Sequence, residues 1–400
     1  MGSSGVDLYK PTFWLVAVLA IVLLSGLKHA TARKWVFALA NLGFIGLHVS
    51  PPTLKFIGLS LAGLVAAAVV ICTLLRMVQA GYVRLPLAAG GIAVLALFVL
   101  HKLPSAFATS GPLPLNSVLI TIGFSYVALR LIDLARVVAD GDHPAPDPIA
   151  LINYALPFHM LAAGPIQAYT DFAEQPGVPL ASTASTSLRS IDRLVGGLFK
   201  KYILANFIEK MFLTGFRADG PYFFLEAQLN YIWVYLDFSA YSDIALGLGG
   251  LMGVATPINF NRPYVARNVI DYWERWHISL SMFIRRNLFI PVQLKLMRLT
   301  GGRFALAIAS FAFLVSFALC GLWHSLSGPW LAWGVLQAAG LIVCNLYKAA
   351  LMRWLGRRGV NAYLANRWIR VVSTIVTFEF IAATLVVVMY PYEELQWWVD

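Results

Sequence analysis

Charge is what this chain has least of. Asp, Glu, Lys and Arg make up 12% of its 400 residues, against 59% hydrophobic residues. A soluble domain carries roughly 25% charged residues. With a mean hydropathy of +0.73, the chain cannot cover a water-facing surface, and no soluble domain is visible. Acid is scarcer than base: 19 acidic residues against 30 basic ones, for a net charge of +11. The excess does not imply nucleic acid. Lys and Arg lie mainly between apolar segments or at their ends, where the positive-inside rule and anionic headgroups account for them.

Other absences remove whole classes of chemistry. The cysteines, Cys72, Cys320 and Cys344, all fall in apolar stretches without metal spacing. They read as small buried hydrophobes. No HxxxH, HExxH or CxxC pattern occurs, so no metal site is expected. No G-x-S-x-G elbow occurs either, which argues against a serine hydrolase. The early connections 28–34 and 50–55 hold no Asp or Glu, unlike the acidic first loop expected of a polyprenyl-dependent glycosyltransferase. The N-terminus lacks a basic n-region, so 12–27 reads as a retained helix.

What is present is a series of apolar runs. They predict helices near 12–27, 35–49, 56–75, 85–101, 115–135, 149–168, 189–214, 222–252, 304–323, 329–347 and 371–390. At about 20 residues per span, this is an all-α polytopic membrane protein of roughly eleven transmembrane helices. The stretch 176–187 reads as a surface loop. Lys28, Arg33 and Lys34, then Arg76 and Arg84, mark cytoplasmic connections, while Lys55 and Lys102 are isolated. Arg353, Arg357, Arg358, Arg367 and Arg370 place the last connection in the cytoplasm, and the N-terminus outside. The reading is one domain over 1–400, with N-terminal helices to 110, a catalytic core at 111–347 and a C-terminal helix in 348–400.

Residues 257–303 resist this scheme. They are too polar to span simply and too apolar for an ordinary loop. Such backbone survives at membrane depth only under protein or beside a wet cavity, which implies re-entrant or interfacial helices shaping a central funnel. Within 271–281, DYWERWHISLS, helical spacing pairs Asp271 with Arg275 and puts Glu274 on the face of His277. Tyr272, Trp273 and Trp276 interleave. One reading is an interfacial amphipathic helix with its Trp residues at headgroup depth. The other is a polar lining, favoured by Asn259, Asn261 and Arg262 just upstream.

His324 ends the uncharged run 304–323, flanked by Trp323 and Ser325. An imidazole is neutral often enough at cellular pH to accept a proton. That suits a hydroxyl nucleophile attacking a thioester. His29, His48 and His101 sit at helix ends and read as interfacial, and His143 as solvated. His159 lies inside an apolar segment and stays open, either core or pathway lining.

Four pieces together resemble the membrane-bound O-acyltransferase family: LPFHMLAAGPIQAYTDFAEQ at 156–175, YLDFSAYSDIALGLGGLMG at 235–253, INFNRPYVARNVIDYWERWHISLS at 258–281 and GLWHSLSGPWLAWG at 321–334. Its bacterial branch, which acetylates alginate and other polysaccharides or transfers D-alanine in teichoic-acid assembly, is the nearer match. The resemblance implies a ring of helices around a funnel in the bacterial cytoplasmic membrane. It implies acyl transfer from a cytoplasmic thioester to a hydroxyl of an exported glycan.

On this resemblance His324 is the general base. His277 polarises the acyl carbonyl or positions the donor. Asn259, Asn261, Arg262, Asp271, Trp273, Arg275, Trp276, Ser281 and Trp323 form the supporting shell, and Tyr241, Ser242 and Asp243 brace the core. No cofactor is bound permanently. The thioester, acetyl-coenzyme A or the phosphopantetheine of an acyl carrier protein, is a co-substrate. Partners are membrane lipids, the donor or its carrier, the glycan acceptor and an extracytoplasmic acyltransferase. Departures from the family pattern are Glu274 for Arg, Arg286 for Asp and Ser325 for Gly. D-alanyl transfer to a teichoic-acid-like or lipid acceptor is an alternative. A transporter or flippase is another of a different class.

Overall fold

The computed structural model describes residues 8, 10–49, 52–82, 119, 122–161, 163–174, 184–213 and 223–389. The expected helix at 85–101, the start of 115–135, most of the loop at 176–187, and His101, Arg84 and Lys102 lie outside them. Among the described residues the regular structure is helical, with no strand. They gather into two compact units, one from residues 1–198 and 241–258, the other from 199–240 and 259–400.

The first unit contains helices Pro11–Gly26, Ala30–His48, Leu54–Gln79, Phe124–Ala139 and Pro148–Ala155. Phe13, Phe44 and Phe158 meet at its core, with ring centroids 5.7 to 6.2 Å apart. The predicted helix at 149–168 is not continuous: it ends at Ala155 and is followed by a 3-10 turn, Phe158–Met160. Pro157 lacks an N–H and disfavours helical backbone at the residue before it. The carbonyls left over by this break need donors. Buried Arg130 supplies them, donating to the carbonyls of Ala155, Met160 and Pro165 at 3.1, 3.0 and 3.2 Å. Arg33, read as a loop charge, is also buried, and donates to the carbonyl of Leu27 at 2.9 Å.

The second unit is built on a helical hairpin, Ala305–His324 and Gly328–Ala365, followed by Arg367–Met389. These helices and Leu54–Gln79 are the four among the described residues that are long and apolar enough to cross a membrane. Pro11–Gly26 is apolar but shorter. Outward side chains such as Val343, Val372, Ile375 and Val376 are exposed, as lipid solvent permits. The expected helix at 329–347 runs on to Ala365, with Gly356 at φ 61°, ψ 176° bending it. The basic connection of the last two helices is therefore mostly helix. Hydropathy windows miss it because Ala, Leu, Met and Arg sustain a helix without sustaining an apolar average.

Two glycines let the hairpin close. A Cβ on Gly321 would lie 2.1 Å from the carbonyl oxygen of Trp330, and one on Gly334 would lie 2.2 Å from that of Phe317. Small residues at such crossings let backbones approach in membranes. The turn is compact, with Ser325 N–H donating to the Gly321 carbonyl at 3.2 Å and Leu331 N–H to Ser327 at 3.1 Å.

Candidate active site

The stretch 257–291 folds as short pieces instead of one helix. A 3-10 turn, Pro263–Val265, leads to helix Val269–Trp273, capped by the Asn268 side chain accepting from Asp271 N–H. A second short helix, Ile278–Ile284, starts after His277. His277 sits in left-handed backbone, φ 43°, ψ 52°, uncommon for a residue other than glycine. A strained conformation of this kind persists only where its surroundings over-determine it. Here Asn259 does so. Its carbonyl accepts from Ile278 N–H at 3.0 Å, and Asn261 N–H donates to the Arg275 carbonyl at 2.9 Å. The Asn259 side chain, fully buried, lies 3.1 Å from His277 Nδ1 and accepts from Ser279 N–H at 3.2 Å and Ser279 Oγ–H at 2.8 Å.

This break corrects the expected helical register. Glu274 is exposed and His277 only 2% exposed, so they share no face. The Asp271–Arg275 pair does form, with Nε 2.6 Å from Oδ1. Asp271 also accepts from Arg267 N–H, and Arg275 reaches the Asn261 carbonyl at 3.4 Å. Asn261 and Arg262 are themselves exposed. Ser281 Oγ–H donates to the Trp276 carbonyl.

The tryptophans are packed inside the protein and do not form an exposed amphipathic face. Trp273 and Trp276 are 6% and 8% exposed. Trp276 stacks on Tyr272 at 5.6 Å and meets Phe260 at 5.0 Å. Phe238, on helix Phe223–Met252, meets Trp276 and sets its ring edgewise to His277 at 4.8 Å. Trp273 Nε1–H donates to Gln337 Oε1 at 3.1 Å, and Gln337 Nε2–H donates to Thr384 at 2.8 Å. Trp273→Phe keeps most of the ring packing and removes that donor. It is expected to cost about 1–3 kcal/mol, read as an earlier unfolding transition in detergent.

His324 closes its helix inside a cage of indoles. Its ring stacks on Trp330 at 4.7 Å and 22°, with Trp323 at 4.7 Å and Trp333 at 5.6 Å. Trp333 in turn contacts Trp273 at 6.0 Å. His324 is half-buried. Burial, and then the nearby His324, push the His277 imidazole down to about 3. His277 is thus neutral at cellular pH, and His324 belongs to the same unit.

Tyr241 and Asp243 belong to the first unit. Tyr241 O–H donates to the His159 carbonyl at 3.4 Å, and Asp243 pairs with Arg193 at 2.7 Å. Ser242 is buried. His159 is a core histidine, 1% exposed, 3.2 Å from the Thr256 hydroxyl. Sequence reasoning did not single out Phe238, Ser279, Trp330, Trp333 or Gln337. Gln337 had a signal, as an amide inside an apolar helix; Phe238 and Ser279 had none.

No group of His, Cys, Asp and Glu suited to a metal occurs among the described residues. A family model described as membrane-bound O-acyltransferase family matches residues 83–384. The chain is similar to the teichoic acid D-alanyltransferase of Bacillus subtilis (strain 168), 24% identical over 277 residues, covering 67% of this chain and 68% of the relative. It is 30% identical over 237 residues to the probable alginate O-acetylase AlgI of Pseudomonas aeruginosa, covering 58% of this chain and 44% of the relative. It is 35% identical over 162 residues to the peptidoglycan O-acetyltransferase of Helicobacter pylori, covering 40% and 29% respectively.

Proposed function

This chain belongs to the membrane-bound O-acyltransferase family, and on that premise we propose that it moves a short acyl group, acetyl first, from a cytoplasmic thioester to a hydroxyl of an exported polysaccharide. The observation that carries this reading is two imidazoles in one compact unit, His277 held beside buried Asn259 and His324 against the rings of Trp323, Trp330 and Trp333. An isolated lipid-facing helix has no use for such a pair.

In the proposed reaction His324 takes the proton of the acceptor hydroxyl as its oxygen attacks the thioester carbonyl. The C–O bond forms, the C–S bond breaks, and the proton passes to the departing sulfur, giving ester and thiol. The Asp271–Arg275 pair, Trp273, Trp276, Ser281 and the Asn261–Arg262 backbone hold the His277 turn in place; Trp323 walls His324. The donor is acetyl-coenzyme A or a carrier-borne phosphopantetheine thioester, and no cofactor stays bound. The location is the bacterial cytoplasmic membrane, with membrane lipids, the donor or its carrier, the glycan and an extracytoplasmic acyltransferase as partners.

A second reading is D-alanyl transfer from a carrier protein. It is favoured by the match to the D-alanyltransferase, which covers 68% of that relative, against 44% and 29% of the O-acetylases of Pseudomonas aeruginosa and Helicobacter pylori. Purified protein in detergent separates the readings. Consumption of acetyl-coenzyme A that depends on an added glycan supports acetyl transfer. Turnover with D-alanyl carrier protein alone supports the second. Failure with every thioester would end both.

A further inference from the structure

We infer that Asn259 is a positioning residue that locks His277 in the Nδ1–H tautomer, so that its Nε2 can act only as a hydrogen-bond acceptor. The tautomer follows from geometry. The meaning given to Nε2 rests on the acyl-transfer reading above.

The chain of reasoning starts from a backbone group. The N–H of Ser279 can only donate, and it points at one terminal atom of the Asn259 side chain at 3.2 Å. That atom is therefore the amide oxygen and not the NH2 group. His277 Nδ1 lies 3.1 Å from the same oxygen. An oxygen already accepting from Ser279 can only accept again, so Nδ1 carries the hydrogen. A neutral imidazole has one N–H, which leaves the lone pair on Nε2. Burial keeps the ring neutral, as its low proton affinity reflects.

The ring cannot easily turn away. Backbone bonds on both sides, Ile278 N–H to Asn259 and Asn261 N–H to Arg275, pin the left-handed residue. The Phe238 ring stands edgewise against it at 4.8 Å. All of these partners lie in one compact unit.

The consequence revises the role expected of His277. With its hydrogen committed to Asn259, the imidazole cannot donate to the acyl carbonyl, so it does not polarise the thioester. It accepts. Among the substrates proposed above, the acceptor hydroxyl and the amide N–H groups of a pantetheine arm are donors, whereas the thioester carbonyl is not. What Nε2 can hold is therefore a donor group of the substrate, and not the thioester carbonyl.

The test is nitrogen NMR of histidine-labelled protein in detergent at neutral pH. The His277 signals are identified by their loss in His277→Gln. The expected spectrum has a protonated Nδ1 and an unprotonated Nε2. Asn259→Ala is expected to mix the tautomers and lower kcat about 100-fold, the scale of a misplaced positioning group. Asn259→Asp still accepts from Nδ1–H, and is expected to keep the tautomer and more activity than the alanine variant. A protonated Nε2 in the wild-type protein, or an unchanged tautomer in Asn259→Ala, overturns the inference. If the alanine variant does not fold, the wild-type spectrum still decides. A chain with the expected spectrum that turns over no thioester would refute the acyl-transfer reading and leave the tautomer standing.

Discussion

His324→Ala is expected to abolish acyl transfer while the protein still inserts and folds. Loss of a positioned general base removes about 10²–10⁴-fold of rate. The fold should survive because the side chain is half-buried at a helix end, and its contacts are ring faces of Trp330, Trp323 and Trp333. Those indoles also pack on one another and on Trp273. His324→Gln keeps more of the volume and hydrogen-bonding capacity but cannot serve as the base, so it should be as inactive as alanine. The measurement is thioester consumption with product mass, beside a melting curve in the same detergent. Full transfer by either variant would remove His324 from the mechanism. An active His324→Ala together with an inactive His277→Ala would move the base to residue 277.

Gly334→Ala is expected to damage both stability and turnover, although the residue touches no proposed substrate. The added methyl would lie 2.2 Å from the Phe317 carbonyl oxygen and 3.0 Å from its carbon. These are backbone atoms inside a helix and cannot rotate away. The hairpin must open instead, and overpacking of this kind costs about 1–3 kcal/mol. Gly321→Ala should behave alike, because its methyl would meet the Trp330 carbonyl oxygen at 2.1 Å. Opening carries Trp330 away from the His324 ring that it stacks on. The expected result is a lower melting temperature together with a fall in kcat. Gly328→Ala, where a methyl meets open space, should leave stability nearly unchanged. Equal stability of the 334 and 328 variants would show that the close approach is unimportant.

The features readable in advance were those carried by composition and local spacing. The uncharged run ending at His324 matched the helix Ala305–His324 within a residue, because lipid demands an unbroken apolar average. The Asp271–Arg275 pair formed as helical spacing required. The same spacing misled at Glu274 and His277. A left-handed residue with neither Gly nor Pro beside it leaves no local trace. The 149–168 run hid its break for the opposite reason. Pro157 breaks the run without lowering its hydrophobic average, and the Arg130 that makes the break tolerable comes from another helix.

The sequence by itself determined the solvent, the helical class and the family, since each depends on sums or on residues close together along the chain. Only tertiary structure decided which nitrogen of His277 bears its hydrogen, what encloses His324 and how closely the hairpin helices approach. Those outcomes depend on pairs such as 259 with 277, 238 with 277 and 317 with 334. The groups are distant in the chain, and no periodicity encodes their meeting.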